Sequence, residues 1–134
     1  MLPASVQRID FRVGFLEILE DGILYYHFYD DSILDISDVQ EMLKAHSILA
    51  ARKPRPVLVD AGVRTSMTQE ARLFDISRER QKYTLAEAII VNNIVTRITA
   101  NFYYRFNPPP YKTRFFNSEE AAYSWLKSMK KVAP

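Results

Sequence analysis

The sequence predicts an α/β domain, on three observations. Apolar residues recur at every second position in some segments and at helical intervals in others. Beyond Asp30 the two kinds of segment alternate. Two of the strand-like runs, Val57-Leu58-Val59 and Ala86 to Val91, are short and continuously apolar, as strands buried on both faces are. The expected order is ββαβαβαβα, an N-terminal β-hairpin followed by βα units. These build a small, mostly parallel sheet with flanking helices, in one domain over 1–134.

From Phe11 to Tyr29 the chain reads as two strands. Phe11, Val13 and Phe15 alternate with Leu16 and Ile18, so both faces are expected to be covered. Asp21-Gly22 separates this run from ILYYHFY, and an Asp-Gly pair between apolar runs is a hairpin signal. In SDVQEMLKAHSILAARK the period becomes helical, with Val39, Met42, Leu43, His46, Leu49 and Ala50 on one face. Ser37 with Gln40 has the spacing of a capping box, Arg52 and Lys53 suit the C-terminal dipole, and Pro54 stops the helix. After strand Val57–Val59, the helical spacing of Met67, Ala71, Phe74 and Arg78 predicts a second helix, and the polar run DISRERQKYT covers the outside. Asn92 or Asn93 can cap a third helix, with Ile94, Val95, Ile98, Phe102 and Phe106 turned inward. NPPPYK is a stiff loop, because proline fixes φ. Thr113 to Phe116 is a last strand, and Asn117 with Glu120 caps a final helix. Its apolar face is Ala121, Ala122, Trp125, Leu126 and Met129, and Lys127, Lys130 and Lys131 suit its C-terminal end.

Composition narrows the function classes. A chain of 134 residues, 48% hydrophobic, is long enough to bury a core. A net charge of +2 is too balanced to indicate nucleic-acid binding. With no cysteine there are no disulfides, thiolate metal sites or cysteine nucleophiles, which fits a cytoplasmic protein. The N-terminus lacks the pattern of a signal peptide, and no apolar run reaches membrane-spanning length.

EILEDGILYYHFYDD at the first hairpin, VLVDAGVRTSMTQEAR in the middle and ANFYYRFNPPPYKTRFFNSEEAAYSWL at the end together resemble the SpoIIAA-like fold of STAS domains. More narrowly, they resemble an uncharacterised subgroup of small bacterial proteins. The resemblance runs from Asp10 to Leu126. It implies the fold, and fold does not imply activity. STAS proteins that antagonise anti-sigma factors carry a phosphorylatable serine in the pattern Asp-Ser-Ser-Gly, just inside the helix after the central strand. Aligned on the preceding Gly-Val, that pattern falls on Thr68-Gln69-Glu70-Ala71. Gln69 or Glu70 occupies the acceptor position, and neither takes a phosphate. Ser66 and Thr68 remain nearby hydroxyls for an anion or phospho contact, although capping of the second helix is the favoured role for them.

Other residue groups are weighed in the same way. Asp60 ends a buried strand, where α/β proteins often place functional groups, yet the sequence offers it no evident partner, and a turn-forming role is favoured. Asp30, Asp31, Asp35 and Asp38 lack the spacing of a calcium loop. His46 is expected to be packed and hydrogen-bonded, and His27 to lie at a partly exposed edge or partner surface. The two could meet in space, but no zinc spacing supports a metal site. No GxSxG elbow, P-loop or dinucleotide fingerprint occurs, so catalytic residues and cofactors are expected to be none. Arg97, Tyr103, Tyr104, Arg105, Tyr111, Lys112 and Arg114 interleave basic and aromatic side chains in the third helix and its loop. The best reading is a non-enzymatic interaction or regulatory module that binds a protein partner or forms a homodimer, with Tyr103, Tyr104, Arg105, Tyr111, Lys112 and Arg114 as the contact. The alternative is a carrier of a small apolar or lipid-like ligand, since STAS and CRAL-TRIO domains resemble one another in fold. A phospho-regulated switch ranks third.

Overall fold

The computed structural model describes residues 2–75, 82–98, 105 and 109–132. Its strands are β1 Ser5–Asp10, β2 Gly14–Leu19, β3 Leu24–Phe28, β4 Ile33–Leu34, β5 Arg55–Asp60, β6 Ser66–Met67, β7 Thr84–Ile90 and β8 Lys112–Phe116. The helices are α1 Ile36–Ala50, α2 Gln69–Asp75, α3 over 94–98 and α4 Glu119–Val132. Six strands form one sheet in the order β1-β2-β3-β5-β7-β8. β1, β2 and β3 run antiparallel, and β3, β5, β7 and β8 run parallel. The hairpin and the mostly parallel βα units are as the sequence predicts.

Two additions were not expected. β1 extends the hairpin into a three-stranded meander, and β4 pairs with β6 in a separate two-stranded ladder. β1 gives little sequence signal because only Ile9 is even half-buried; backbone pairing to β2 holds it in place. The turn into β2 closes with Phe11 N–H donating to the Gly14 carbonyl at 2.8 Å. Gly14 is required there, because a Cβ would collide with the His27 carbonyl of the facing strand.

The core has two halves, one on each face of the sheet. Leu16, Leu24, Tyr26, Val57, Val59 and Ile89 pack beneath Met42, Ala45 and Leu49 of α1. Leu19, Tyr25, Leu58, Ala86, Ala88 and Ile90 pack beneath Ala122 and Leu126 of α4. Expected coverage on both sides holds for β3, β5 and β7. It fails for the α4 side of β1 and β2, where Arg8, Asp10, Phe15 and Glu17 are exposed or half-buried.

Helix starts show where acceptor strength overrode the expected spacing. α1 is capped by Asp35 rather than Ser37. Asp35 Oδ1 accepts from Asp38 N at 3.0 Å, and Asp38 Oδ2 accepts from Asp35 N at 2.9 Å. A carboxylate at the N-cap also meets the positive end of the dipole. α4 is capped by Ser118 rather than Asn117, through Ala121 N–H at 3.2 Å. Asn93 caps α3 by accepting from Val95 N at 2.9 Å and Thr96 N at 3.1 Å. At the end of α1, Ala51 turns left-handed and Arg55 Nε donates to the Ala50 carbonyl at 3.1 Å, satisfying a terminal acceptor.

Ile94, Val95 and Ile98 do not face inward as their spacing predicts. They are 62%, 68% and 63% exposed. The expected inward residues Phe102 and Phe106, and Arg78, lie outside the described residues.

Candidate functional site

Strand alternation sends consecutive residues to opposite faces, so Tyr26 and His27 of β3 enter different environments. Tyr26 points toward α1 and donates its hydroxyl to His46 Nδ1 at 2.7 Å. His46 Nε2 lies 3.0 Å from the Tyr83 carbonyl. A carbonyl can only accept, so the proton sits on Nε2 and Nδ1 receives the tyrosine. His46 is 1% exposed and acts as a packed core polar residue, as expected.

His27 points to the other face, so the two histidines do not meet. It lies in an interior strand rather than at an edge. Parallel pairing places it opposite Asp60 of β5, and His27 Nδ1 donates to Asp60 Oδ2 at 3.2 Å. Asp60 Oδ1 also accepts from Gly62 N at 3.3 Å, as the expected turn role requires. Gly62 sits at φ +74°, a conformation that disfavours side chains, and a Cβ there would press on the Phe28 carbonyl. Phe15 stacks on the His27 ring, with centroids 5.0 Å apart and planes at 22°, and Tyr29 meets it edge-on at 6.0 Å. Tyr25 lies beside the same carboxylate. Burial raises its pKa first, and the nearby charges of Asp60, Glu119 and Glu17 raise it further.

His27 as the partner of Asp60 is the feature sequence reasoning missed. The two are 33 residues apart and no motif joins them. Only the register of two parallel strands puts them side by side. A signal was available in the aromatic alternation of YYHFY and the aspartate closing VLVD, both at predicted strand ends.

The loop after β5 is tied down by the acidic residues once compared with a calcium loop. Asp30 accepts from Val63 N at 2.8 Å, and Asp31 pairs with Arg64, which lowers the carboxyl pKa through the guanidinium hydrogen bond. Asp38 is buried against Arg12. Burial pushes its pKa upward, but Arg12 and the Asp35 hydrogen bonds outweigh this and hold the pKa below the usual carboxylate value. Among the described residues, no group of three or more His, Asp or Glu side chains could hold a metal.

Of the two hydroxyls, Thr68 is the cap. Its Oγ1 accepts from Ala71 N at 3.1 Å, while Ser66 lies exposed in β6, two residues before the helix cap. The basic-aromatic group divides. Lys112 and Arg114 stand exposed on edge strand β8, Tyr111 is half-buried just before it, and Arg105 is exposed. Tyr103 and Tyr104 lie outside the described residues. The expected helix-and-loop patch is thus partly a strand surface. A depression of about 280 Å³ is lined by Leu2, Glu119, Glu120, Tyr123 and Ser124, and its two carboxylates do not suit an apolar ligand. No helix among the described residues is long and apolar enough to cross a membrane.

With this geometry in place, comparison with known proteins assigns a family. The chain belongs to the family described as Domain of unknown function (DUF7793), whose profile matches residues 17–130, a span that includes His27 and Asp60. Among solved structures it is similar to an uncharacterised protein of the DUF3478 family with a SpoIIAA-like fold, from Shewanella loihica PV-4. The identity is 17%, with 94% of this chain and 95% of that one covered, at a TM-score of 0.60. At that identity the likeness shows the fold, which is therefore SpoIIAA-like. A protein of unknown function from Arthrobacter sp. FB24 is 24% identical over 88% of this chain and 95% of that one, at a TM-score of 0.30, too low to carry an argument. No curated protein matches.

Proposed function

We propose that this DUF7793 member is an interaction module that engages a protein partner through the segment running from the end of β7 to β8. One observation carries the reading: Ile94, Val95 and Ile98, crowded into a single helical stretch, are all more than 60% exposed. Scattered exposed apolar residues are ordinary, but a concentration of them marks a contact surface. Val63 and Leu73, which follow β5, add exposed apolar area after the same end of the parallel strands. Arg105, Tyr111, Lys112 and Arg114 supply a basic-aromatic flank to the segment, a composition enriched at interfaces. Such a contact works by surface complementarity and needs no cofactor.

A phospho-switch at Ser66 or Thr68 has less support, since the Thr68 oxygen is committed to the cap. The test is the double substitution Ile94→Asp with Ile98→Asp. Partner capture and self-association, by pull-down and analytical ultracentrifugation, should fall about tenfold or more, as loss of a buried apolar anchor does. The far-ultraviolet circular dichroism should stay that of the native protein. Unchanged association would remove the proposal.

A further inference from the structure

We propose that His27 is a general base, oriented by Asp60, that promotes hydrolysis of small uncharged aromatic esters. The inference stands apart from the contact surface and does not rest on it.

The imidazole has the features that task requires. Nδ1–H is given to Asp60 Oδ2, which fixes the tautomer and leaves the lone pair on Nε2. Nε2 has no hydrogen-bond partner among the described residues. The side chain is 33% exposed, so a substrate can reach it. Asp60 is itself held by Gly62 N–H, and the ring is clamped by Phe15 and Tyr29, so neither group must reorganise. The pair also stands at the carboxyl ends of adjacent parallel strands, where the sheet changes from antiparallel to parallel. Functional groups of α/β sheets concentrate at such ends.

The surroundings choose the substrate class. Asp10, Phe15, His27 and Asp60 form one row across the sheet, and Arg8, Glu17 and Tyr25 form the next on the same face. Glu119 of α4 adds its charge near Tyr25. Arg8, the cation of this group, is already paired with Asp10 at 2.9 Å and lies 3.7 Å over the Phe15 ring. Four carboxylates against one engaged guanidinium disfavour an anion, and the exposed ring of Tyr29 beside the imidazole offers an apolar rest. A neutral aryl ester fits both conditions.

The step balances with water alone. Nε2 takes a proton from a water as its oxygen bonds to the ester carbonyl carbon. The carbon–oxygen bond to the aryl group then breaks, and the electron pair leaves on the phenoxide. Asp60 stabilises the imidazolium until its proton passes to the phenoxide or to solvent. His27 is the catalytic residue, and Asp60 a positioning residue.

The probe is p-nitrophenyl acetate, with release of p-nitrophenolate followed by absorbance across pH. The full chain should exceed free imidazole at equal concentration. His27→Gln, which keeps His46, should lose about tenfold or more of the rate. Asp60→Asn should lower the rate and move the pH–rate profile, whereas a merely structural role for Asp60 would leave the profile in place. Ile94→Asp with Ile98→Asp should hydrolyse like wild type, which separates this inference from the contact reading. A His27→Gln protein as active as wild type, or wild-type turnover no faster than imidazole, would overturn it.

Discussion

Tyr26 and His27 are neighbours in one strand, and the two sides of the sheet they enter use histidine in opposite ways. On the α1 side, both His46 nitrogens are committed, one to Tyr26 and one to the Tyr83 carbonyl, in a setting without water access. On the α4 side, His27 commits one nitrogen to Asp60 and is one-third exposed. What separates a structural imidazole from a chemically available one is thus the number of its nitrogens the fold consumes. Residue type and position in the chain do not decide it.

The contrast can be broken most strongly through stability. His46→Ala removes packed volume and leaves the Tyr26 hydroxyl without its acceptor, which together should cost about 3 kcal/mol. His27→Ala, at a half-exposed site, should cost less than about 1 kcal/mol. Urea unfolding midpoints measure both, and equal costs would erase the distinction between the faces.

Acid sharpens it next. The folded pKa of Asp38 is depressed, so its contribution to stability is fully present above the unfolded value of about 4. That contribution is lost as pH falls through the lower folded value. Asp38 belongs to the α1 side, through the Asp35 cap and Arg12. Asp38→Asn should therefore flatten the acid limb of the stability curve below about pH 4. Denaturant midpoints at two acid pH values separate the variant from wild type.

The smallest effect compares the two hydroxyls of the loop after β5. Thr68→Ala removes a helix cap and should cost about 1 kcal/mol, whereas Ser66→Ala should be close to neutral. Thermal unfolding resolves the pair.

Much of this architecture is legible in the sequence. VLV, Ala86 to Val91 and the α1 face carry strong periodicity because their burial is dictated by side chains, and each appears where expected. β1 was illegible because its place depends on backbone hydrogen bonds, which SVQRID does not encode as a pattern. The Asp35 cap was displaced from Ser37 because two acidic residues three apart satisfy each other, and Asp38 also meets Arg12 from another element. The candidate site was the least legible part. Asp60 and His27 each stand out within their own segment, but their union depends on the parallel register of β3 against β5, a relation between strands rather than within one. Ile94 and Ile98 show the converse. Helical spacing says that two residues share a face, and it does not say whether that face meets the core or solvent.

The two strands at the ends of the sheet bear on how the protein behaves in a crowd. An open ladder is a template on which another chain can grow, the first step toward a fibre. β1 guards its side with Arg8 and Asp10 and with a break in register between Ser5 and Gln7. β8 guards the other with Lys112 and Arg114, so two copies that approach through β8 bring like charges together. Resistance to fibrillar growth at high concentration therefore resides in a few surface charges, and could be lost without disturbing one residue of the core.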